Sequence, residues 1–323
     1  MTAKIDIAIL DRGIPYLEMQ GLLDTLRGRG LEAAYLNYDD VVFSAGGSPL
    51  RHRGEQVDPA VVLIRSRFFS RISEAVSVFD SLAMLENAGI RVVNAASGVQ
   101  QAHNKVLSVD VLARAGLPVP RTRLVRTLEH ASECLREWGD VVFKPVHGIA
   151  STDNVLLRDQ VDFRSPDTPH ELSLGNEIKL SYLLRTHESM CAQEFVPNTG
   201  SDVRAMCIED QVVACYQRKT LHSPADEKTR ENPQLVEPYE CTAELVDTVV
   251  AATRCFGLEH SCVDFAEGLD GSLTILEVNP TISFWRHVAD DSLHRTPDGV
   301  GSAFADMLVH ALESSDRLAK VES

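Results

Sequence analysis

Near the C-terminal end, Val263-Asp264-Phe265 precedes a turn at Gly268 and Asp270-Gly271, and then the run Leu273-Thr-Ile-Leu-Glu277-Val-Asn279-Pro280. Residues i and i+2 of a strand point the same way. Folded as a hairpin, this segment can therefore bring Asp264, Glu277 and Asn279 to one face. Two carboxylates and an amide oxygen are hard ligands of the kind Mg²⁺ takes, completed by phosphate and water oxygens. The chemistry suggested is the handling of a metal–nucleotide. The same acids also suit an ordinary hairpin whose polar face meets water.

Three further segments carry candidate groups. Val142-Phe-Lys144-Pro-Val-His-Gly148 places a lysine at a strand end before a turn containing glycine. Ala192-Gln193-Glu194-Phe195-Val196 leads to Gly200-Ser-Asp202-Val-Arg204 and, one strand later, to Tyr216-Gln-Arg218-Lys219. Asn104-Lys105 opens a helix. Each has a plain structural alternative. A lysine at a strand end or helix start is usually solvated, Arg204 and Arg218 could be surface ion-pair partners worth roughly 0–1 kcal/mol, and Gln193 and Glu194 could be outward-facing strand positions.

These residues have to be positioned by the surrounding elements. The first 95 residues alternate strand and helix: Ile5 to Leu10, Ala34 to Tyr38, Val61 to Ile64 and Ile90 to Asn94 read as short apolar strands, and Tyr16 to Arg29 and Ile72 to Asn87 as helices. This is a small parallel α/β unit. It has no G-x-G-x-x-G after its first strand, and Gly28-Arg-Gly30 falls at a helix end, which disfavours a dinucleotide-binding dehydrogenase. Asn104 to Ala115 reads as a helix closed by Gly116, followed by an extended Pro-containing connector. Thr127 caps a helix to Trp138 that Gly139 ends. Residues 159–176 read as a polar loop. The runs Cys191 to Val196, Ala205 to Ile208, Val212 to Arg218, Ser261 to Phe265 and Leu273 to Val278 suit antiparallel strands, with helices at Ala243 to Phe256 and Ala303 to Glu313.

The composition narrows the class. The 323 residues are 44% hydrophobic with a net charge of −16, which excludes disorder and suits a folded chain of two or three units. Residues 1–126 hold 15 basic and 13 acidic side chains, against 16 and 34 in the remainder. Such a field disfavours nucleic acid and anionic lipid as partners. No apolar run approaches the roughly 18 residues that span a bilayer, and the N-terminus enters a strand without a signal-peptide pattern, so the expected compartment is the cytoplasm. Seven cysteines with no C-x-x-C spacing indicate reduced thiols rather than a disulfide framework or a zinc ribbon.

The series Asn94…Asn104-Lys105, Ala115-Gly-Leu-Pro-Val-Pro-Arg-Thr, Val-Phe-Lys144-Pro, Gln193-Glu-Phe-Val, Asp202-Val-Arg204, Arg218 and Leu-Glu277-Val-Asn279-Pro resembles the ATP-grasp carboxylate–amine ligases of the RimK type, in order over roughly residues 85–282. The resemblance implies an α/β (α+β) fold. Residues 1–97 would form an N-terminal α/β domain and 98–323 an ATP-grasp domain, with a lid over about 127–196 and a catalytic part over 197–323. It implies ATP as substrate and Mg²⁺, or Mn²⁺, as metal. Lys105 and Lys144 would approach the phosphates, Gln193, Glu194, Phe195 and Val196 would line the adenine, and Asp202 would belong to the nucleotide site. Asp264, Glu277 and Asn279 would hold the metal, with Arg218, Lys144 and Arg204 catalytic. A carboxylate would be activated as an acyl phosphate and captured by an amine. The partners implied are an amino acid such as glutamate and a small molecule or peptide, in a chain that self-associates.

The chain departs from the family pattern in two places. After Lys144 the family usually carries a glycine-rich loop, whereas His147-Gly148-Ile-Ala-Ser151-Thr152-Asp153-Asn154 has one glycine. Ser151 and Thr152 could supply donors there and Asn154 a left-handed backbone, and Asp153 would have to turn away from triphosphate. An inactive nucleotide-binding relative is the alternative this leaves. On the acceptor side, Arg230-Glu-Asn232-Pro and the stretch Thr281 to His287 differ from the family. Arg230, Asn232 and Arg286 are therefore candidates for substrate selection, a guanidinium matching a carboxylate bidentately.

Overall fold

The computed structural model describes residues 3–15, 17–46, 50–65, 72–148, 153–158, 163–165, 168–219, 236–281 and 299–315. The first unit is built on β1 (Ala3–Asp11), α1 (Leu17–Gly28), β2 (Ala33–Asn37), β3 (Val41–Phe43), β4 (Leu50–His52), β5 (Glu55–Ile64), α2 (Ile72–Asn87) and β6 (Arg91–Val93). Strands β2, β1, β5 and β6 are parallel neighbours, and the β3–β4 hairpin hangs antiparallel from the start of β5. Nothing in the apolar pattern predicts that hairpin. Its strands, Val41-Val-Phe43 and Leu50-Arg-His52, are three residues each, too short to give a period to read.

The expected strands of this unit are near-continuous apolar runs because both faces are covered. Ile7 and Ile9 of β1 face a core with Leu22, Leu23 and Leu26 of α1, whereas Ala8 and Leu10 face Val78, Phe79 and Leu82 of α2.

Two short helices follow, α3 (Ala96–His103) and α4 (Lys105–Arg114). The break between them is Asn104, whose side-chain oxygen accepts the N–H groups of Val106 and Leu107 as an N-cap. The expected helix start is thus right, while α3 is an addition to the expected elements.

A four-stranded antiparallel sheet comes next, from β7 (Thr122–Val125), β8 (Val141–Pro145), β9 (Val155–Leu157) and β12 (Met190–Glu194), in the order β7-β12-β8-β9. Helix α5 (Leu128–Trp138) starts on Thr127 as a cap and stops at Gly139, φ +77°, as its sequence signals. Within 159–176, expected as loop, lie the hairpin strands β10 (Phe163–Ser165) and β11 (Thr168–Leu172) and the start of α6 (Leu174–His187). Pro169 is compatible with β11 because each strand of a two-stranded ribbon has a free edge. The helix has a blurred period. It buries Leu180, Leu183 and Leu184 but leaves Leu174, Ile178 and Tyr182 exposed.

The last sheet is antiparallel, in the order β15-β14-β13-β16-β17, from β13 (Asn198–Ile208), β14 (Gln211–Lys219), β15 (Val236–Pro238), β16 (His260–Gly268) and β17 (Leu273–Asn279). Helix α7 (Ala243–Arg254) covers one face, packing on Val203, Ala205 and Cys207. The opposite face is divided along its length. Its lower half, Met206, Ile208, Tyr216 and Cys262, shares a core with β1, α1 and the terminal helix α8 (Gly299–Glu313). Its upper half carries the charged residues. The switch from apolar to charged along the strands thus marks where the N-terminal unit stops covering the sheet.

Candidate active site

Asp264 on β16 and Glu277 on β17 are direct register partners, with a bulge immediately after Asp264. Asn279, two residues on, reaches both: its Nδ2 lies 3.3 Å from Asp264 Oδ2 and 3.4 Å from Glu277 Oε1. The hairpin therefore does bring the three oxygen-bearing side chains together. Asp264 is 4% exposed. Burial pushes its carboxyl up while Arg204 and Arg218 pull it back.

Arg204 belongs to β13, where Asp264 is its register partner. Its Nε donates to Asp264 Oδ1 at 2.6 Å and its Nη2 to the other oxygen, a bidentate grip. Arg218, on β14, is the register partner of Asp202 and donates to both of its oxygens, Nε–Oδ2 at 3.1 Å, with Asp264 Oδ2 3.9 Å from its Nη2. Four side chains on three adjacent strands form one alternating ladder of charge, so neither arginine is a free surface residue.

The cations on the other side come from two elements. Lys144, near the end of β8, donates to Gln193 Oε1 of the neighbouring β12 at 2.6 Å. Burial lowers its ammonium below the ordinary lysine range against the attraction of Glu277. Lys105 opens α4; its backbone N–H bonds Val146 O at 3.1 Å, its Nζ bonds Gly148 O at 2.9 Å, and Glu277 Oε2 is 3.9 Å away. Burial alone would raise the Glu277 carboxyl, yet Lys105 and Lys144 outweigh it and hold it at about 2. Glu277 is therefore ionised across the neutral range.

Gln193 to Val196 leave the sheet of Lys144 along the Pro-containing connector. Glu194 N–H bonds Arg121 O at 2.9 Å, its carboxylate takes two 2.7 Å bonds from the Arg121 guanidinium, and Phe195 N–H bonds Asp140 O. Ile275 N–H bonds Pro118 O at 2.8 Å. The connector thus ties β12 to β17. Arg121 is a residue that sequence patterning does not single out, although it sits inside Pro-Val-Pro-Arg-Thr, one of the segments that carry the family resemblance.

Asp153, rather than the expected Asn154, takes the left-handed backbone, φ +61°. Its carboxylate contacts His187 Nε2 of α6 at 2.9 Å. His147, in the same stretch, stacks on His103 of α3 with Nδ1 atoms 3.3 Å apart, and burial lowers both imidazoles, His103 to about 3. Ser151, Thr152, Arg230, Asn232 and Arg286 lie outside the described residues. A cavity of about 900 Å³ flanks α4 on the side of β7, lined by Val106, Leu107, Leu124 and His147 among others; Lys144, Asp264 and Glu277 are not in its lining.

The match to a family model decides the family: the RimK-like ATP-grasp domain covers residues 102–287, more than half of the chain. The chain belongs to the RimK-like ATP-grasp family. Among its relatives are two proteins described as tetrahydromethanopterin:alpha-L-glutamate ligase. That of Methanosarcina acetivorans is 36% identical over 44% of this chain and 43% of its own length. That of Methanocaldococcus jannaschii is 30% identical over 64% and 67%. The first alignment thus spans less than half of that relative. The glutamate–LysW ligase ArgX of Sulfolobus acidocaldarius is 24% identical over 81% of this chain and 86% of its own. Among solved structures, the ATP-grasp ligase PsnB complexed with a minimal precursor superposes with a TM-score of 0.67 at 23% identity over 94% and 98% of the two chains. D-cycloserine synthetase DcsG gives 0.68 at 18% over 95% and 99%. At these identities both establish the fold alone. No helix among the described residues is long and apolar enough to cross a membrane.

Proposed function

We propose that the chain is an ATP-dependent carboxylate–amine ligase that joins glutamate, or an amino acid like it, to a small-molecule or peptide partner through an amide bond. The observation that carries this is the convergence of Asp264, Glu277 and Asn279 with Lys105, Lys144 and Arg218 between two antiparallel sheets. The recurrence of glutamate in the relatives' names supports the substrate class.

The residues fit a metal–nucleotide. Asp264, Glu277 and Asn279 offer hard oxygen donors, and the two lysines stand opposite them as mobile point charges. Mg²⁺ held by these three residues would supply counter-charge to the phosphates, and Mn²⁺, which also takes oxygen ligands, is proposed to substitute. Lys105 and Lys144 bind the triphosphate, Lys105 exchanging the Gly148 carbonyl for a phosphate oxygen. Gln193 orients Lys144. The Glu194–Val196 backbone, braced by Arg121, receives the adenine. Asp202 aims Arg218 at the transferred phosphoryl group, and Arg204 fixes the Asp264 carboxylate.

A substrate carboxylate oxygen then bonds the γ-phosphorus as the β–γ bridging bond breaks and ADP leaves. The amine nitrogen attacks the acyl carbon, inorganic phosphate departs, and the amine proton is lost. Preorganised cations stabilise the charge in both steps, and no side-chain nucleophile is required. The test is release of ADP and phosphate from Mg·ATP with glutamate and a panel of amines and carboxylates. Transfer of ¹⁸O from labelled glutamate into phosphate assigns glutamate as the activated partner; its absence with turnover assigns it as the amine. Nucleotide binding without release for any pair overturns the ligase reading.

A further inference from the structure

The β16–β17 ladder ends at the pair Cys262–Asn279. Beyond it, the strands are bridged by a side chain from a different unit. Asn94 follows β6 of the N-terminal sheet and is fully buried, 0% exposed. Its Nδ2 donates to His260 O at 2.8 Å and to Pro280 O. Its Oδ1 accepts from Glu259 N–H at 2.7 Å and from His260 N–H at 3.1 Å. Both amide donors and both carbonyl lone pairs are thereby used. A reversed amide would set N–H against N–H and oxygen against oxygen, so the orientation is fixed by its partners.

Pro280 is the residue after Asn279, and His260 lies two residues before Cys262 on β16. Asn94 therefore closes the open end of the hairpin whose strands carry Asp264, Glu277 and Asn279. A second feature of the same seam lets it reach. A Cβ on Gly98 of α3 would stand 2.5 Å from Phe256 O and 3.0 Å from Leu258 Cδ2, so the helix that follows Asn94 lies against the segment leading into β16 only because residue 98 has no side chain. Arg91 of β6 pairs with Glu259 alongside.

We propose that Asn94 is a positioning residue for the metal ligands: it acts as an additional rung between β16 and β17, holding Asn279 opposite Cys262 and so within reach of Asp264, and coupling the N-terminal sheet to the metal end of the site. Loss of the rung leaves two buried N–H groups and two buried carbonyls unpaired. They relax by separating the strand ends, which spreads the donors. The inference rests on the metal–nucleotide reading of that hairpin, but its readout is metal affinity and needs no turnover.

The experiment compares wild type with Asn94→Ser, Asn94→Asp and Gly98→Ala by Mn²⁺ paramagnetic titration with and without ADP. Groups that orient metal ligands typically change affinity by about 10–100-fold when removed. The expected result is a weakening of that order in all three variants, with metal-free ADP binding unchanged. Metal affinity within about twofold of wild type in folded Asn94 variants overturns the proposal. Should the substitutions prevent folding, hydrogen exchange on the wild type decides. Added Mg·ADP is expected to slow the Glu259 and His260 amides together with 277–281; slowing confined to 277–281 overturns it. If wild type binds metal but releases no phosphate with any substrate pair, the ligase reading falls while the rung is still measured.

Discussion

Arg204 and Asp264 face each other as register partners on adjacent strands, and the guanidinium grips both carboxylate oxygens of an acid that is 4% exposed. Breaking a buried pair from one side leaves an uncompensated charge and costs on the order of 3–5 kcal/mol. Arg204→Met is expected to destabilise the protein by that order. Because a divalent cation can replace the lost counter-charge, Mg·ADP should raise the variant's melting temperature by more than it raises the wild type's. An equal or smaller rise in calorimetry would show that Asp264 does not face the metal.

Lys144 is expected to set an alkaline limit. Burial lowers its ammonium from the ordinary 10.5. The kcat/KM for ATP reports the free enzyme, and should therefore fall with rising pH at a lower pH than an ordinary lysine would give. Lys144→Arg does not titrate in this range and should flatten that limb while lowering the plateau. The folding linkage has a definite sign. A depressed lysine gives up its proton in the folded state first, so between the two pKa values the unfolded chain binds more protons and stability rises with pH. An unchanged limb in the arginine variant would assign it to another group.

The Arg121–Glu194 pair is solvent-exposed, and such pairs contribute little to stability. Its position beside the proposed adenine strand predicts a separate effect. Glu194→Ala and Arg121→Ala should leave the melting temperature nearly unchanged, raise the KM for ATP several-fold and alter kcat little. A double variant no worse than either single one would show that they act as a pair. A fall in kcat at unchanged KM would remove the bracing role.

His310 of α8 meets Glu209, in the β13–β14 turn, at 2.9 Å, and this contact raises the imidazole from its ordinary 6.5. A raised folded value means stabilisation that is fully present below 6.5 and is lost as pH rises through the folded value. His310→Ala should therefore lower the melting temperature at about pH 5.5 and have little effect at about pH 8.5. The effect is small because the pair is exposed. A difference that grows with pH would contradict the assignment.

Several local features are legible in the order of residues alone. Thr127 and Gly139 bound α5 because a hydroxyl can accept an N–H in the first turn and glycine tolerates the positive φ at its end. Asn104 marks the start of α4 for the same capping reason. The alternation around Asp264, Glu277 and Asn279 already implies that they can share a face. Among the elements that escape such reading are the short strands β3 and β4, the β10–β11 hairpin, and α6, whose exposed Leu174, Ile178 and Tyr182 mask its buried stripe.

Residue type, strand period and cap chemistry act within a few positions, and so chain order suffices to dictate the kinds of groups present, their succession and the side of each strand they occupy. Which charges meet is a different matter. Arg204 reaches Asp264, and Lys105 comes within 3.9 Å of Glu277, across 60 and 172 positions of chain, through strand register and the docking of α4. Asn94 joins the two ends of the β16–β17 hairpin across 166 and 186 positions. These contacts exist only through packing, because hydrogen-bond and charge energies fall off over a few ångströms and depend on distances that the chain order does not contain.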